Sequence, residues 1–320
     1  MAGGTNDIRH WAVWTGKLLL AILLLVLLLQ HLQTGSLLET FSTAQPLWLL
    51  GAFLLLLPNV FFQYVKWRTL LHSVYPDVRR SDVGASLLLG FTFGVVTPAR
   101  IGEFGGRAAA VRNADKLTLM SLTAVDKLAT LLVTVGVGAV GLLLFCIRHP
   151  FMSPLLLAAI EGAGAVIAAG VLIWMLRRQK TVAMMSEPAG PITRRWSRIR
   201  KALMLVDGPV RARLLVFSAL FYMTFVAQFL LLLRAFGPID ILSSLAGVST
   251  IMLIKTIIPP LTLGELGIRE GASVFVLGHA GMLAAGAVSA SLLLFGINIL
   301  LPGLVGVLVM LRRPDRRPAA

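Results

Sequence analysis

Ten residues recur in this chain. The pattern P-x-x-x-G-E-x-G-x-R stands once at Pro98–Arg107 and again at Pro260–Arg269. Pro98 and Pro260, Glu103 and Glu265, Arg107 and Arg269 are each 162 positions apart, so the two copies align without a gap. A charged, helix-breaking pattern repeated at constant offset reads as two copies of one structural unit. Both copies interrupt apolar sequence. Paired helix breakers at matching positions of two halves of a membrane chain point to a binding site between the halves.

Composition agrees with a membrane chain. Hydrophobic residues make up 57% and charged residues 13%, with a mean hydropathy of +0.87; soluble domains carry roughly twice that charge. The net charge of +15 sits between apolar runs, where Lys and Arg set topology rather than bind nucleic acid. A single Cys146 excludes an internal disulfide. The five His residues are scattered, so no metal set and no cofactor motif is expected. Leu18 to Leu29 reads as a first span rather than a cleaved signal.

Full spans are expected at about 13–30, 46–71, 117–147, 153–176, 213–235 and 285–311. Pro58 predicts a kink in the second. Two shorter apolar segments, 83–99 and 242–259, each run into one copy of the repeat. Ten Lys and Arg lie between residues 177 and 213, against Glu187 and Asp207. The 66–80 connection, with Lys66, Arg68, Arg79 and Arg80, and the C-terminus are also basic. The positive-inside rule places these and the N-terminus in the cytoplasm. That holds only if 83–99 enters from the cytoplasm and turns back. Three spans separate the two hairpins, so the second enters from the opposite face.

The expected fold is therefore an all-α polytopic membrane protein. About six full spans and two broken or re-entrant hairpins form an inverted-topology repeat. Unit one covers about 46–147, unit two about 213–311, and 177–212 is a basic cytoplasmic loop. Thr193 to Val206 reads either as solvated loop or as a basic helix on the membrane. The second motif reads equally as a re-entrant hairpin or as two thin spans.

Pro98, Gly102, Gly105 and their counterparts Pro260, Gly264 and Gly267 are expected to form the hairpin turns, by breaking helix or allowing close approach. Glu and Arg at i and i+4 share one helical face. Arg offers a planar fork matched to phosphate or carboxylate. A helix starting after the Gly turn would aim its positive end at an anion. Intramembrane charge is costly, which makes a function its default reading. The expected substrate-binding set is Arg100, Glu103, Arg107, Asp126, Lys127, Lys255, Glu265, Arg269 and Glu270. Mutual neutralisation within a tight turn is the competing reading of the Glu–Arg pairs. Asp126 and Lys127, being adjacent, point apart on a helix, and Lys255 has length enough to snorkel. Glu161, Asn59, Gln63, Gln228 and Asn298 are expected to bond between helices, and Gly136, Gly138 and Gly141 to allow close helix packing.

The stretches T-P-A-R-I-G-E-F-G-G-R at 97–107 and G-E-L-G-I-R-E-G at 264–271 resemble the lysylphosphatidylglycerol synthase transmembrane-region, or flippase-like, family. The likeness runs from about residue 15 to 312. Pro98, Gly102, Glu103 and Arg107 match its first motif, and Gly267, Arg269, Glu270 and Gly271 its second. Asp126-Lys127 stands where an acidic residue followed by Arg is usual, and Glu265 where Gly is common. One branch of that family joins this region to a soluble aminoacyl-lipid synthase and moves the product across the bilayer. With no such domain after residue 312, the resemblance implies transport rather than synthesis. The expected protein is a non-enzymatic carrier in the cytoplasmic membrane for an anionic or phosphate-bearing lipid, whether phospholipid or isoprenoid-linked. Its partners would be membrane lipids and a lipid-synthesising enzyme, not nucleic acid. Two alternatives stay open: a lipid-modifying membrane enzyme using Glu103 or Asp126, and a scaffold acting through the basic loop.

Overall fold

The computed structural model describes residues 42–111, 114–176, 206–258 and 267–312. The first expected span, the basic 177–205 segment, and Pro260, Gly264 and Glu265 of the second motif lie outside them. Among the described residues the fold is wholly helical. Its helices are α1 (Pro46–Leu54), α2 (Leu56–His72), α3 (Arg80–Val95), α4 (Gly102–Ala110), α5 (Lys116–Arg148) and α6 (Pro154–Leu176). After the basic segment come α7 (Gly208–Phe236), α8 (Ile241–Ile257), α9 (Ile268–His279), α10 (Ala284–Phe295) and α11 (Leu301–Arg312). A π-helical turn, Gly296–Leu300, joins the last two.

Four of these stretches, Pro46–His72, Lys116–Arg148, Gly208–Phe236 and Ala284–Arg312, are long and apolar enough to cross a membrane. Their Leu, Val and Ala content suits helix and lipid together. Leu57, Ile147 and Leu155 leave apolar surface facing outward. The first of these helices breaks at Leu55, because Pro58 has no N–H to offer the carbonyl four residues back. Asp115 caps α5 by accepting from the Thr118 amide at 2.8 Å, and Asp240 caps α8 through Ser243 at 2.8 Å. The Ser243 hydroxyl and amide hold the Asp240 carboxyl below its ordinary pKa, helped by Arg148.

The 162-residue offset recurs in the helices. Shifting 46–72 by 162 gives 208–234, and the observed helix is Gly208–Phe236. Shifting 80–95 gives 242–257, beside Ile241–Ile257. Shifting 116–148 gives 278–310, beside Ala284–Arg312. Each long closing helix then packs on the other half: α5 lies along α8, and α11 along α3. Glycine makes both contacts close. A Cβ on Gly141 would run into Ser249, and one on Gly306 into the Leu88 carbonyl oxygen. Thr92 also donates to the Gly303 carbonyl at 2.8 Å. Gly138 has the expected packing role, against Leu253, whereas Gly136 faces open space.

Two apolar cores result. Trp67, Leu70, Leu87, Leu119 and Leu214 form one, joining α2, α3 and α5 to the start of α7. Phe229, Leu233, Ile251, Val276 and Leu294 form the other, among α7 to α10. Polar bonds between helices stitch the middle. Asn298 donates to Gln228 at 2.8 Å, and Gln228 donates to the Ala52 carbonyl at 2.8 Å. Gln63 and Asn59, expected to bond between helices, instead bond to each other within α2, Gln63 donating at 2.9 Å. Glu161 departs from expectation: its Oε1 is buried without a hydrogen-bond partner among the described residues. The cause is geometric, since α6 packs mainly on α5 and leaves its outer face open.

The Gly306 contact carries a test. Gly306→Ala should force α11 from α3 and cost about 1–3 kcal/mol, as overpacking does. Gly136→Ala, in open space, should be neutral or raise stability by under about 1 kcal/mol. Thermal unfolding of the purified variants in one detergent would compare them.

Candidate functional site

The first motif builds a helical hairpin. Helix α3 ends at Val95, and α4 begins at Gly102 and packs back along it. The turn is tightened by Thr97, which donates to the Phe93 carbonyl at 2.8 Å and accepts from the Gly102 amide at 2.7 Å. A Cβ on Gly102 would overlap the Phe93 carbonyl oxygen, and one on Gly106 the Leu89 carbonyl oxygen. The glycines that closeness requires are therefore Gly102 and Gly106. Gly105, expected to shape the turn, has nothing within 4 Å of its Cβ position. Ala99 and Arg100 adopt φ of 55° and 53°. That left-handed conformation costs an L-residue about 1–2 kcal/mol. Two in succession, between the Pro and the Gly of the motif, set where the Arg100 side chain leaves the backbone.

Four cations and two carboxylates meet behind this turn. Arg107 is 2% exposed and Glu103 1%. Arg107 uses Nη2 on Glu103 Oε1 at 2.6 Å and Nη1 on Asp126 Oδ2 at 3.0 Å. Lys66 pairs with Asp126 Oδ1 at 3.1 Å and donates to Thr130 at 2.5 Å. Glu103 Oε2 is shared by Lys127 Nζ at 2.6 Å and Arg100 Nη2 at 3.2 Å. The Arg107 guanidinium also lies 4.8 Å from the Trp67 ring centroid, a cation–π contact. Trp67 donates to Ser86 at 3.1 Å, and Ser86 donates to the Arg107 carbonyl at 2.7 Å. With both carboxylates ionised, the cluster carries a net charge of +2.

The second motif is arranged differently. Gly267, at φ 93°, opens α9. Glu270 Oε2 accepts from the Gly267 amide at 2.7 Å, the acidic half of a capping box, since Gly267 has no side chain to return the bond. Its Oε1 takes Arg269 Nη2 at 2.7 Å and the Ser291 hydroxyl at 2.9 Å. Arg269 Nε donates to Ser291 Oγ at 2.8 Å. Arg269 and Glu270 thus form a balanced, buried pair. The α9 N-terminus, expected to aim at an external anion, is occupied by the protein's own Glu270.

Both sites border one cavity of about 660 Å³, within the size range of small-molecule sites. Lys66, Arg100, Arg107, Lys127, Lys255 and Arg269 all reach its wall, as does Asp126. Phe91, Phe104, Phe221 and Phe225 supply an apolar side. Asn298, in the π-helical turn, lines it too. Among the described residues no three His, Cys, Asp or Glu side chains converge as a metal site.

Of the expected site residues, Arg100, Glu103, Arg107, Asp126 and Lys127 come together in one network. Lys255 and Arg269 reach the same cavity, and Glu270 stands behind Arg269. Asp126 and Lys127 do not point apart in effect, because Glu103 and Arg107 lie between their reaches. Lys66 is the principal residue the sequence reading misplaced. Its place among the cations of 66–80 reads as a cytoplasmic connection, whereas it lies on the buried face of α2 at 3% exposure. Asn59, Gln63 and Lys66 fall at i, i+4 and i+7, a polar helical stripe that would have found it.

Asp126→Asn should strand Lys66 and Arg107 and cost about 3–5 kcal/mol, the usual penalty for breaking a buried pair. Adding Lys66→Met should recover part of that loss, because one stranded cation is removed. Thermal melts of both variants read this; an unchanged melt for Asp126→Asn would show that the contacts are not coupled.

No curated protein matches the chain. The family described as lysylphosphatidylglycerol synthase TM region matches residues 14–306, nearly the whole length and both motifs. With its membrane-crossing helices, paired motifs and shared cavity, the chain belongs to the lysylphosphatidylglycerol synthase transmembrane-region family, multi-pass membrane proteins linked to lipid synthesis or transport.

Proposed function

We propose that this protein carries a lipid with an anionic, phosphate-bearing headgroup across the cytoplasmic membrane without altering it covalently. The observation that carries the reading is the cationic surplus of the Glu103–Arg107 network, facing a cavity bordered by both halves. The headgroup would enter that cavity while its chains stay in lipid against the aromatic side. Charge at such depth is expensive and calls for a polar occupant.

Helix lengths support re-entrant hairpins. At 16 residues α3 is about 24 Å long and at nine residues α4 is about 14 Å. Neither reaches across a hydrocarbon core of about 30 Å. The second hairpin, α8 and α9, has 17 and 12 residues. In this reading the two hairpins enter from opposite faces as an inverted repeat, and both termini are cytoplasmic with the basic segment that precedes α7. That segment ends earlier than the expected residue 212, because α7 already begins at Gly208. Movement of one half against the other would expose the cavity alternately to each leaflet.

The test is reconstitution of purified protein into vesicles, with labelled phospholipids followed from one leaflet to the other. Arg107→Lys is the informative variant. The guanidinium reaches Glu103 and Asp126 at once, and one ammonium at the end of a flexible stem lacks that planar fork. Translocation should fall by about tenfold or more at equal protein content. A wild-type rate in that variant would sink the role of the network. Recovery of a chemically changed lipid would replace the carrier reading with an enzymatic one.

A further inference from the structure

We infer that the cavity selects a headgroup bearing two negative charges, a terminal phosphate dianion, and that Arg100 and Lys127 are the side chains that grip it. The inference rests on the carrier reading above and narrows its substrate class.

The argument begins with pairing inside the first cluster. Arg107 with Glu103 Oε1, and Lys66 with Asp126 Oδ1, form two neutral ion pairs. Arg100 and Lys127 remain, and both lean on the other oxygen of Glu103. The two surplus charges are also the two accessible ones. The Arg100 side chain is 16% exposed and that of Lys127 40%, while Lys66, Glu103, Arg107 and Asp126 are each 4% or less. Arg100 has in addition a buried Nε–H with no hydrogen-bond partner. Both side chains reach the cavity wall. Their donor atoms lie within 3.2 Å of one carboxylate oxygen, close enough together for the oxygens of one phosphate to bridge them.

Charge balance sets the class. When Arg100 and Lys127 turn to a ligand, Glu103 keeps Arg107 and stays neutralised. A phosphate dianion then cancels the +2 of this cluster; Lys255, which reaches the same wall from α8, stands outside it and adds further positive charge. A phosphodiester, with one charge, would leave an uncompensated cation in a poorly solvated chamber, which is costly. A cationic aminoacyl headgroup would be repelled. The second motif adds no surplus, since Arg269 and Glu270 balance each other. The left-handed backbone at Ala99 and Arg100 fits this role, because strain persists where position matters.

The experiment titrates detergent-purified protein at pH 7.5 with short-chain phosphatidic acid, a phosphomonoester, and short-chain phosphatidylglycerol, a phosphodiester, of identical acyl chains. Bound lipid is counted by native mass spectrometry. Phosphatidic acid should bind about tenfold more tightly. In Arg100→Gln and in Lys127→Gln the preference should shrink to about threefold or less, and in the double variant it should vanish. Equal binding of the two lipids by the wild type would overturn the dianion inference and leave the anionic-lipid reading in place; that comparison needs no variant to fold. Inorganic phosphate as competitor separates the sources. It should displace phosphatidic acid only at about 100-fold excess or more, lacking chains to bury. Displacement at matched concentration would leave a dianion site standing and overturn the lipid-carrier reading. Failure of both lipids to bind would overturn both.

Discussion

One guanidinium ties together four segments that are distant in sequence. Arg107 holds Glu103 on its own helix and Asp126 on α5. Through Asp126 it reaches Lys66 on α2. The guanidinium lies over the Trp67 ring, and the Arg107 carbonyl accepts from Ser86 on α3. A planar group with five fixed donors suits this role, where a point charge does not. Deprotonation is not open to it, so its positive charge is a fixed feature of the site. The rest of the site is arranged around that constraint: Glu103 has one oxygen occupied by Arg107, which leaves the other to be shared by Arg100 and Lys127.

Two copies of one motif have come to do different things. In the first, Arg at i+4 pairs with Glu at i, and three further cations gather. In the second, Arg269 turns to its neighbour Glu270 and to Ser291, and Glu270 caps α9. The helical framework repeats at the 162-residue offset while the charge does not. Packing explains why both can hold. Helix lengths and glycine contacts depend on backbone shape, which both halves share. The sign and surplus of charge depend on which side chains a neighbouring helix contributes. Lys66 and Lys127 enter the first cluster from α2 and α5; Ser291, from α10, enters the second.

Much of the framework was legible in the chain. The four long helices, the break near Pro58, the tight turn at Gly102 and the close packing of Gly138 and Gly141 follow from propensity, proline chemistry and small-residue spacing. Errors arose where one pattern admitted two physical meanings. Lys66 stands at the start of a run of cations, and a run of cations ordinarily marks a cytoplasmic connection. Gly105 looks like Gly106 in sequence, yet only Gly106 meets a backbone oxygen of α3. Glu161 sits in an apolar helix as Gln228 does, but α6 is peripheral and no facing helix among the described residues meets it with a partner.

Hydropathy, helix breakers and the constant offset are properties of the chain itself. They determined a repeated, helical, membrane-crossing architecture and put Glu103 and Arg107 on one face, because local spacing fixes which side chains share a helix face. Only the tertiary structure decided that Asp126 and Lys127 close around that pair, that Lys66 joins them, and that Arg269 finds Glu270. It also decided that the surplus charges are Arg100 and Lys127. The physical reason is that ion pairing in a poorly solvated interior acts over a few ångströms. Residues on different helices, such as Arg107 and Asp126 or Lys66 and Asp126, acquire such distances only when their helices pack.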